Sequence, residues 1–230
     1  MPIPVNLPIQ AVAKSVLAQL VNHITPRSTE HSIAEIAAEL LARAGCPDTW
    51  YYDCPALVLL GSRSLMSVSG REYRPNGETA GSHNLVTVDL SPRSAHVWGD
   101  CARSFYIEDG ICRTAPQGAE FLHGHATERA LHEAMQAYVR PETTFGELYT
   151  FANAAIIKAG YENLDFRGNV GHSICEQRDQ RLYAESGNAR ALGEVGCFTF
   201  EPHIRRQGGR WGYKHENIYY FNENGRPCEL

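Results

Sequence analysis

Two apolar, strand-like stretches of this 230-residue chain each contain an aspartate, and this pair of stretches constrains the fold most. They are 85–90 (LVTVDL) and 96–105 (HVWGDCARSF), separated by a Ser-Pro-Arg-Ser turn at 91–94. Their β-branched and aromatic residues predict strands, in which aspartate is uncommon. A hairpin would bring Asp89 and Asp100 together, and two carboxylates in an apolar setting repel each other unless a proton or a cation lies between them. The simplest expectation is a divalent metal.

The second half of the chain resembles the first. Helical patterns that begin after Pro26 and Pro141 end after equal lengths at Gly45 and Gly160, and Thr144-x-x-Glu147 is a capping box. Each half has two predicted helices before its acidic strands. We therefore predict a single domain over 1–230, of α/β (α+β) class, with pseudo-repeats at about 9–105 and 119–221. Each would be an α-α-β-β unit, and the sheets would join into a mainly antiparallel, curved sheet.

The second half adds three ligand-type side chains in strand-like segments. His172 lies in NVGHSI, Glu201 ends CFTFE, and Glu216 precedes NIYYF. Together with the first hairpin they form a candidate metal-binding set: Asp89, Asp100, His172, Glu201 and Glu216. One imidazole among four carboxylates is an oxygen-rich set, which favours Mn, Fe(II) or Co over Zn.

These motifs resemble the pita-bread metallopeptidase family, which includes methionine aminopeptidase, aminopeptidase P and prolidase, with creatinase as a metal-free relative. The run DCARSF (100–105) is similar to the family's Asp-x-Thr-Arg-Thr-Phe, and VGH (170–172) to its Gly-His strand. FTFEP (198–202) and ENIYYF (216–221) resemble its two glutamate strands. The resemblance covers nearly the whole chain. It implies a stand-alone pita-bread catalytic domain that hydrolyses an amide or peptide bond, as an aminopeptidase or an Xaa-Pro dipeptidase does.

The resemblance also implies a role for each ligand. Asp89 would chelate one of two divalent ions, while Asp100 and Glu216 would bridge both. His172 and Glu201 would complete the other ion, and Glu201 would double as the general acid/base. Two ions that share a water lower the pKa of that water and polarise an amide carbonyl.

Two histidines that peptidases of this family carry are missing here. One is expected a few residues beyond the Gly-His pair, but 173–179 (SICEQRD) contains none. The other is expected upstream of Asp89, where His83 is too close in sequence. Possible replacements are His203 as a catalytic group and, for substrate binding, Tyr73, Arg74 and Arg178.

The missing histidines leave two alternatives open. The first is a metal-dependent tailoring enzyme that acts on a non-peptide small molecule. The second is a catalytically silent pita-bread module that binds peptides or partner proteins, although such modules normally lose metal ligands.

Two further charged patterns have structural interpretations. Lys214 lies two residues before Glu216, where we expect an ion pair with a ligand carboxylate. On the predicted helix at 119–139, His125, Glu128 and His132 share one face. We interpret that face as a solvated polar surface with an i,i+4 pair rather than as a metal cluster.

Composition excludes several classes of protein. The chain has no apolar run of 18 residues, so no membrane span is expected, and its net charge of −5 without a Lys/Arg cluster argues against nucleic-acid binding. Seven cysteines without a Cys-x-x-Cys pair suit a reducing compartment, and the N-terminus lacks the pattern of a signal peptide. We therefore expect a cytoplasmic protein with a small peptide or amide as its substrate. Dimerisation is common among relatives of this fold, so a homodimer is possible.

Overall fold

The computed structural model describes residues 4–230. Residues 1–3, which begin the stretch that lacks a signal-peptide pattern, lie outside the described residues. Its four α-helices bury the apolar faces that the spacing predicts. They are α1 (Leu7–Leu20), α2 (Glu30–Arg43), α3 (Ala119–Tyr138) and α4 (Phe145–Lys158). In the described part of the chain, no helix combines the length and the apolar character needed to cross a membrane.

Local side-chain chemistry fixes the ends of α2 and α4. The Thr29 hydroxyl accepts the Ser32 amide at 3.1 Å, and the Thr144 hydroxyl accepts the Glu147 amide at 3.0 Å. Both are reciprocal capping boxes, and the one at Thr144 is confirmed as predicted. The helices end before Gly45 (φ +83°) and Gly160 (φ +81°), a backbone conformation that glycine adopts without a steric penalty.

Fourteen strands, all paired antiparallel, complete the described part of the chain. Those of the first half are β1 (Asp48–Thr49), β2 (Ala56–Leu60), β3 (Asn84–Leu90), β4 (Pro92–Ser94), β5 (Val97–Trp98), β6 (Cys101–Glu108) and β7 (Ile111–Arg113). Those of the second half are β8 (Tyr161–Asn163), β9 (Ser173–Ile174), β10 (Cys197–Phe200), β11 (His203–Arg206), β12 (Gly212–Lys214), β13 (Asn217–Phe221) and β14 (Pro227–Glu229).

The two halves have the same topology. Each contains a four-stranded sheet, with order β2-β3-β6-β7 in the first half and β9-β10-β13-β14 in the second. Each also contains a three-stranded sheet, β1-β4-β5 or β8-β11-β12. The helices α1 and α2 pack on the first set of strands, and α3 and α4 on the second. The predicted pair of α-α-β-β units is therefore confirmed.

Hydrogen bonds join the two halves along β6 and the segment before β13. The Glu216 amide donates to the Ala102 carbonyl at 3.0 Å, and the Arg103 guanidinium donates to the Glu216 carbonyl at 2.6 Å. The Lys214 amide donates to the Ser104 hydroxyl at 2.9 Å. These bonds bring the acidic hairpins of the two halves together.

Two local predictions differ from the structure. The apolar residues of 65–68 (LMSV) predict a strand, but a 3₁₀ helix occupies Gly61–Leu65, and among the described residues no strand follows it before β3. The Ser64 hydroxyl donates to the Gly61 carbonyl at 2.6 Å, a local bond that competes with strand pairing. The expected turn at 91–94 contains β4, which pairs with β1 and β5. The connection between β3 and β6 is therefore longer than a tight turn and includes two short strands, β4 and β5.

The polar face of α3 is buried, and our interpretation of it as solvated was wrong. Glu128 is 2% exposed and His132 is 5% exposed. His132 lies against the second-half sheet, with Nδ1 2.7 Å from the Tyr219 hydroxyl and Nε2 3.0 Å from the His215 carbonyl. These two partners explain how an imidazole is accommodated in the core. Burial lowers the pKa of His132 to about 3.

This lowered pKa predicts how stability depends on pH. Below about pH 6.5 the unfolded chain protonates this imidazole, whereas the folded chain keeps it neutral down to about pH 3, so folding loses stability as the pH falls. Between pH 7 and pH 5 we expect the free energy of unfolding to fall by about 2 kcal/mol more in the wild type than in His132→Gln. Urea denaturation of both proteins at both pH values measures this difference, and equal losses would contradict it.

Candidate metal centre

The first hairpin places two carboxylates at one end of its strand pair. Asp89 lies near the end of β3, and Asp100 immediately precedes β6, with Leu90 opposite Cys101 in the register. The side chain of Gln10 on α1 holds the Asp100 backbone, accepting its amide at 2.9 Å and donating to its carbonyl at 2.8 Å. The strand pair and the helix together fix the position of the Asp100 carboxylate.

The second hairpin repeats this placement. Glu201 immediately follows β10 and Glu216 immediately precedes β13, and their neighbours Phe200 and Asn217 are paired in the register. The segment before β9 carries His172, whose carbonyl accepts the Thr199 amide at 2.7 Å. All five predicted ligands therefore lie at or beside the ends of strands β3, β6, β9, β10 and β13.

Gly171 allows the His172 segment to lie this close to β10. Its φ is +154°, and a Cβ built on it would lie 2.2 Å from the Thr199 carbonyl oxygen. A heavy atom cannot remain at that distance without displacing the backbone. This lack of space explains why a glycine precedes His172 in this fold.

Three of the predicted ligands form a tight, buried group. The side-chain ligand atoms of Asp100, His172 and Glu216 all lie within 4.8 Å of one another. His172 Nε2 is 3.3 Å from Asp100 Oδ2 and 3.6 Å from Glu201 Oε1. Its Nδ1 donates to the Ser173 carbonyl at 3.0 Å, which leaves the Nε2 lone pair facing the carboxylates.

The acceptors of this group lack donors. Asp100 Oδ2 and both carboxylate oxygens of Glu216 are buried without a hydrogen-bond partner in the described residues. A buried charged oxygen without a partner is strongly unfavourable, and a cation removes that cost. The donor set, oxygen-rich with one imidazole, therefore fits a divalent metal ion.

The same crowding changes the acidity of the ligands. Burial, together with Asp89, raises the pKa of Asp100 well above its usual value, and burial together with the other carboxylates does the same for Glu216. Burial also raises the pKa of Glu201 and lowers that of His172 to about 4. Proton and metal therefore compete for the carboxylates, while the imidazole is neutral and ready to bind a metal at neutral pH.

Lys214 contacts the other side of the site. Its Nζ lies 2.7 Å from Asp89 Oδ2, 3.2 Å from Glu201 Oε2 and 3.9 Å from Glu216 Oε2. The expected ion pair with a ligand carboxylate is therefore confirmed. Burial alone would lower the pKa of Lys214, but the surrounding carboxylates outweigh it and raise that pKa well above its usual value.

The candidate ligands lie at or beside a cavity of about 440 Å³, whose lining also includes an arginine held by aromatic rings. The Arg181 guanidinium carbon lies 4.9 Å from the centre of the Trp50 ring and 5.2 Å from that of Tyr183. Its Nη1 is 3.4 Å from His172 Nε2. Arg181 is not among the predicted site residues, because it lies in an irregular segment where no periodicity distinguishes it from Arg178.

The predicted substrate-binding residues do not line this cavity. The buried Tyr73 hydroxyl donates to the Val58 carbonyl at 3.0 Å, and Arg74 donates to backbone carbonyls of its own loop. Arg178 lies over the Tyr52 ring, 3.7 Å from its centre.

His203, the predicted catalytic imidazole, does line the cavity. Its Nε2 donates to the Ser64 carbonyl at 2.7 Å, so Nδ1 is left as the acceptor. Burial lowers the pKa of His203 to about 4.

A family model matches nearly the whole chain. The model of metallopeptidase family M24 matches residues 9–223 of the chain. The chain belongs to this family. No curated protein sequence matches it significantly.

Solved structures agree on the fold. X-Pro aminopeptidase from Thermotoga maritima is 17% identical with a TM-score of 0.79, and the match covers 97% of this chain and 59% of that one. Prolidase from Thermococcus sibiricus is 16% identical with a TM-score of 0.77, over 96% and 56%. Methionine aminopeptidase from Rickettsia prowazekii is 15% identical with a TM-score of 0.68, over 96% and 94%. The predicted pita-bread fold is confirmed, and this M24 chain spans little more than half the length of the first two proteins.

Proposed function

We propose that this protein is a metal-dependent hydrolase that cleaves an amide or peptide bond near the end of a small substrate, in the manner of an aminopeptidase or an Xaa-Pro dipeptidase. One observation carries the proposal. Buried carboxylate oxygens of Asp100 and Glu216 have no partner in the described structure, and they face His172 Nε2 beside a cavity large enough for a small peptide. Such an arrangement is suited to binding a divalent ion where a substrate can reach it.

The candidate ligand set is Asp89, Asp100, His172, Glu201 and Glu216, of which Asp100, His172 and Glu216 have ligand atoms within 4.8 Å of one another. A divalent ion bound there would polarise a carbonyl oxygen and make a nearby water more acidic. We propose Mn, Fe(II) or Co as the ion, because carboxylates dominate the donor set. The remaining chemistry belongs to the side chains of this chain.

Glu201 is the candidate for proton transfer. Its Oε1 accepts the Thr199 hydroxyl at 3.2 Å, and its Oε2 faces Lys214 at 3.2 Å, so the carboxylate is held in one orientation. A carboxylate fixed at the edge of the cavity can take a proton from water and return it to the leaving nitrogen. His203 lines the same cavity, and we propose that its Nδ1 accepts a hydrogen bond from the substrate.

Arg181 is the candidate group for binding a negatively charged part of the substrate. The aromatic rings hold its guanidinium beside His172, close enough to meet a carboxylate or a developing oxyanion. We assign to Arg181 the substrate-binding role that the sequence predicted for Tyr73, Arg74 and Arg178, because those three residues lie outside the cavity lining.

Replacing Arg181 by glutamine is expected to raise KM for a substrate with a free carboxylate by about 10- to 100-fold, since a hydrogen bond to a charged group contributes about 1.5–3 kcal/mol. For the same substrate with an amidated C-terminus, the substitution should change KM little, because that substrate lacks the negative charge. Arg178→Gln is the matched control and should leave KM unchanged. Steady-state kinetics on both substrates provides the test, and an equal loss in the two variants would contradict the assignment.

A panel of substrates tests the proposed function itself. Protein purified without chelator is supplied with Mn(II), Co(II) or Fe(II) and assayed on Met-Xaa, Xaa-Pro and N-blocked dipeptides. We expect turnover of at least one unblocked dipeptide and loss of that turnover with a chelator. Failure to bind any of these metals would contradict the proposal.

A second candidate is a metal-dependent tailoring enzyme that acts on a non-peptide small molecule. Among the described residues, only two histidines line the cavity, His172 and His203. This small number of histidines favours the second candidate. Family peptidases use further histidines to contact the peptide. Bound metal without turnover of any dipeptide in the panel would favour this second function.

A further inference from the structure

We propose that Lys214 serves as a permanent second cation of the metal centre, so that the protein binds one divalent ion instead of two. The inference rests on the proposed function, since it concerns the same site. It revises the two-ion expectation drawn from the family resemblance.

The ammonium group occupies one end of the ligand set. Lys214 Nζ donates a hydrogen bond to Asp89 Oδ2 at 2.7 Å and forms an ion pair with Glu201 Oε2 at 3.2 Å. Asp89 is the residue that would have to chelate an ion separate from the one at His172. With one of its oxygens bonded to an ammonium group, Asp89 is already neutralised.

The unpartnered oxygens lie at the other end. Among residues 4–230, Asp100 Oδ2 and the two oxygens of Glu216 are buried without a hydrogen-bond partner, and ligand atoms of Asp100, Glu216 and His172 lie within 4.8 Å of one another. Glu216 Oε2 is 3.9 Å from Lys214 Nζ, beyond a hydrogen bond, so it remains free for a metal. One end of the ligand set therefore requires a cation, whereas the Lys214 ammonium group already supplies the positive charge at the other end.

The backbone holds Lys214 in this position. Its residue pairs with His203 between β11 and β12. Its amide donates to the Ser104 hydroxyl at 2.9 Å, and its carbonyl accepts from the same hydroxyl at 3.1 Å. With only 16% of its side chain exposed, the ammonium group has little room to move into solvent when a metal arrives.

Charge balance leads to the same count. The four carboxylates carry four negative charges when ionised, and a single divalent ion together with Lys214 and Arg181 neutralises them. A second divalent ion would leave two uncompensated positive charges in a buried site, which is strongly unfavourable. One ion is therefore the electrostatically balanced state.

Counting bound manganese tests the inference. Chelator-treated protein, freed of chelator, is titrated with Mn(II), and bound ions are counted by elemental analysis after gel filtration. Electron paramagnetic resonance then distinguishes an isolated ion from a spin-coupled pair. We expect the wild type to saturate at one ion without coupling. We expect Lys214→Ala to bind a second ion and to show a coupled spectrum, because Asp89 and Glu201 lose their cation.

Lys158→Ala, which changes an exposed lysine at the end of α4, is the matched control and should bind one ion, as the wild type does. Two coupled ions in the wild type would overturn the inference and leave the proposed function standing, whereas no bound ion would contradict both. A folded Lys214→Ala protein that still binds a single ion would also overturn it. If that variant does not fold, as circular dichroism would show, the wild-type count and spectrum decide alone.

Discussion

Replacing Asp100 by asparagine is expected to abolish metal binding and to lower turnover on the order of 1000-fold, while the protein still folds. A metal ion supplies several kcal/mol of transition-state stabilisation, and each 1.36 kcal/mol corresponds to a factor of ten in rate. The amide is nearly the same size as the carboxylate but lacks the charge that the ion requires. Elemental analysis and kcat/KM measure the two losses, and Glu216→Gln should show both as well.

The same substitution separates loss of metal from loss of fold. Burial, together with the neighbouring Asp89, raises the pKa of Asp100, so the ionised form of this carboxyl group is unfavourable in the metal-free wild type. Metal-free Asp100→Asn should therefore unfold at a temperature no lower than metal-free wild type, and added Mn(II) should no longer stabilise it. Asp109→Asn, at an exposed turn with φ +51°, is the matched control and should keep metal and activity. Full turnover in both Asp100→Asn and Glu216→Gln would refute the ligand assignment.

Replacing Gly171 by alanine is expected to destabilise the protein by about 3 kcal/mol or more and to weaken metal binding. The new Cβ would lie 2.2 Å from the Thr199 carbonyl oxygen, and the backbone there has a φ of +154°, so steric overlap and backbone strain add. In a domain of this size such a loss corresponds to a decrease in Tm of about 6–12 °C. Because His172 is the next residue, any backbone shift also displaces a ligand.

Thermal unfolding and a Mn(II) titration of Gly171→Ala measure both effects. Gly196→Ala is the matched control: nothing lies within 4 Å of a Cβ built on Gly196, and its φ is not in the left-handed region. It should change Tm little. A Gly171→Ala protein with the Tm and Mn(II) affinity of the wild type would contradict the steric explanation.

The residues that could be predicted from sequence are those whose local environment conflicts with their chemistry. An aspartate in an apolar strand and a glutamate at the end of another require a partner, and that conflict is visible without coordinates. The repeat of proline, helix and glycine along the two halves was equally visible, and the structure shows the same topology in both. The capping box at Thr144 was visible in the sequence as well, and it marks the start of α4.

The residues that could not be predicted depend on contacts between distant segments. Arg181 reaches the site because aromatic rings from near residue 50 hold its guanidinium, and no sequence pattern links these segments. The buried polar face of α3 was misjudged for a related reason. Its periodicity was correct, but the Tyr219 hydroxyl that satisfies His132 lies 87 residues away in sequence.

The single cation that we propose for the site differs from what the family resemblance implies. The resemblance implies two ions, and all five ligand types are present. Lys214 changes the expectation because its ammonium group lies within hydrogen-bonding distance of Asp89 and Glu201. A lysine two residues before a glutamate is common in proteins. Only its position among the carboxylates gives it significance.

Anomalous X-ray diffraction from crystals grown with Mn(II) shows whether Asp100, His172 and Glu216 bind a metal ion. We expect a strong manganese peak within coordination distance of Asp100 Oδ2, His172 Nε2 and a Glu216 oxygen. Crystals of protein saturated with Mn(II) that show no peak among these three side chains would contradict this expectation.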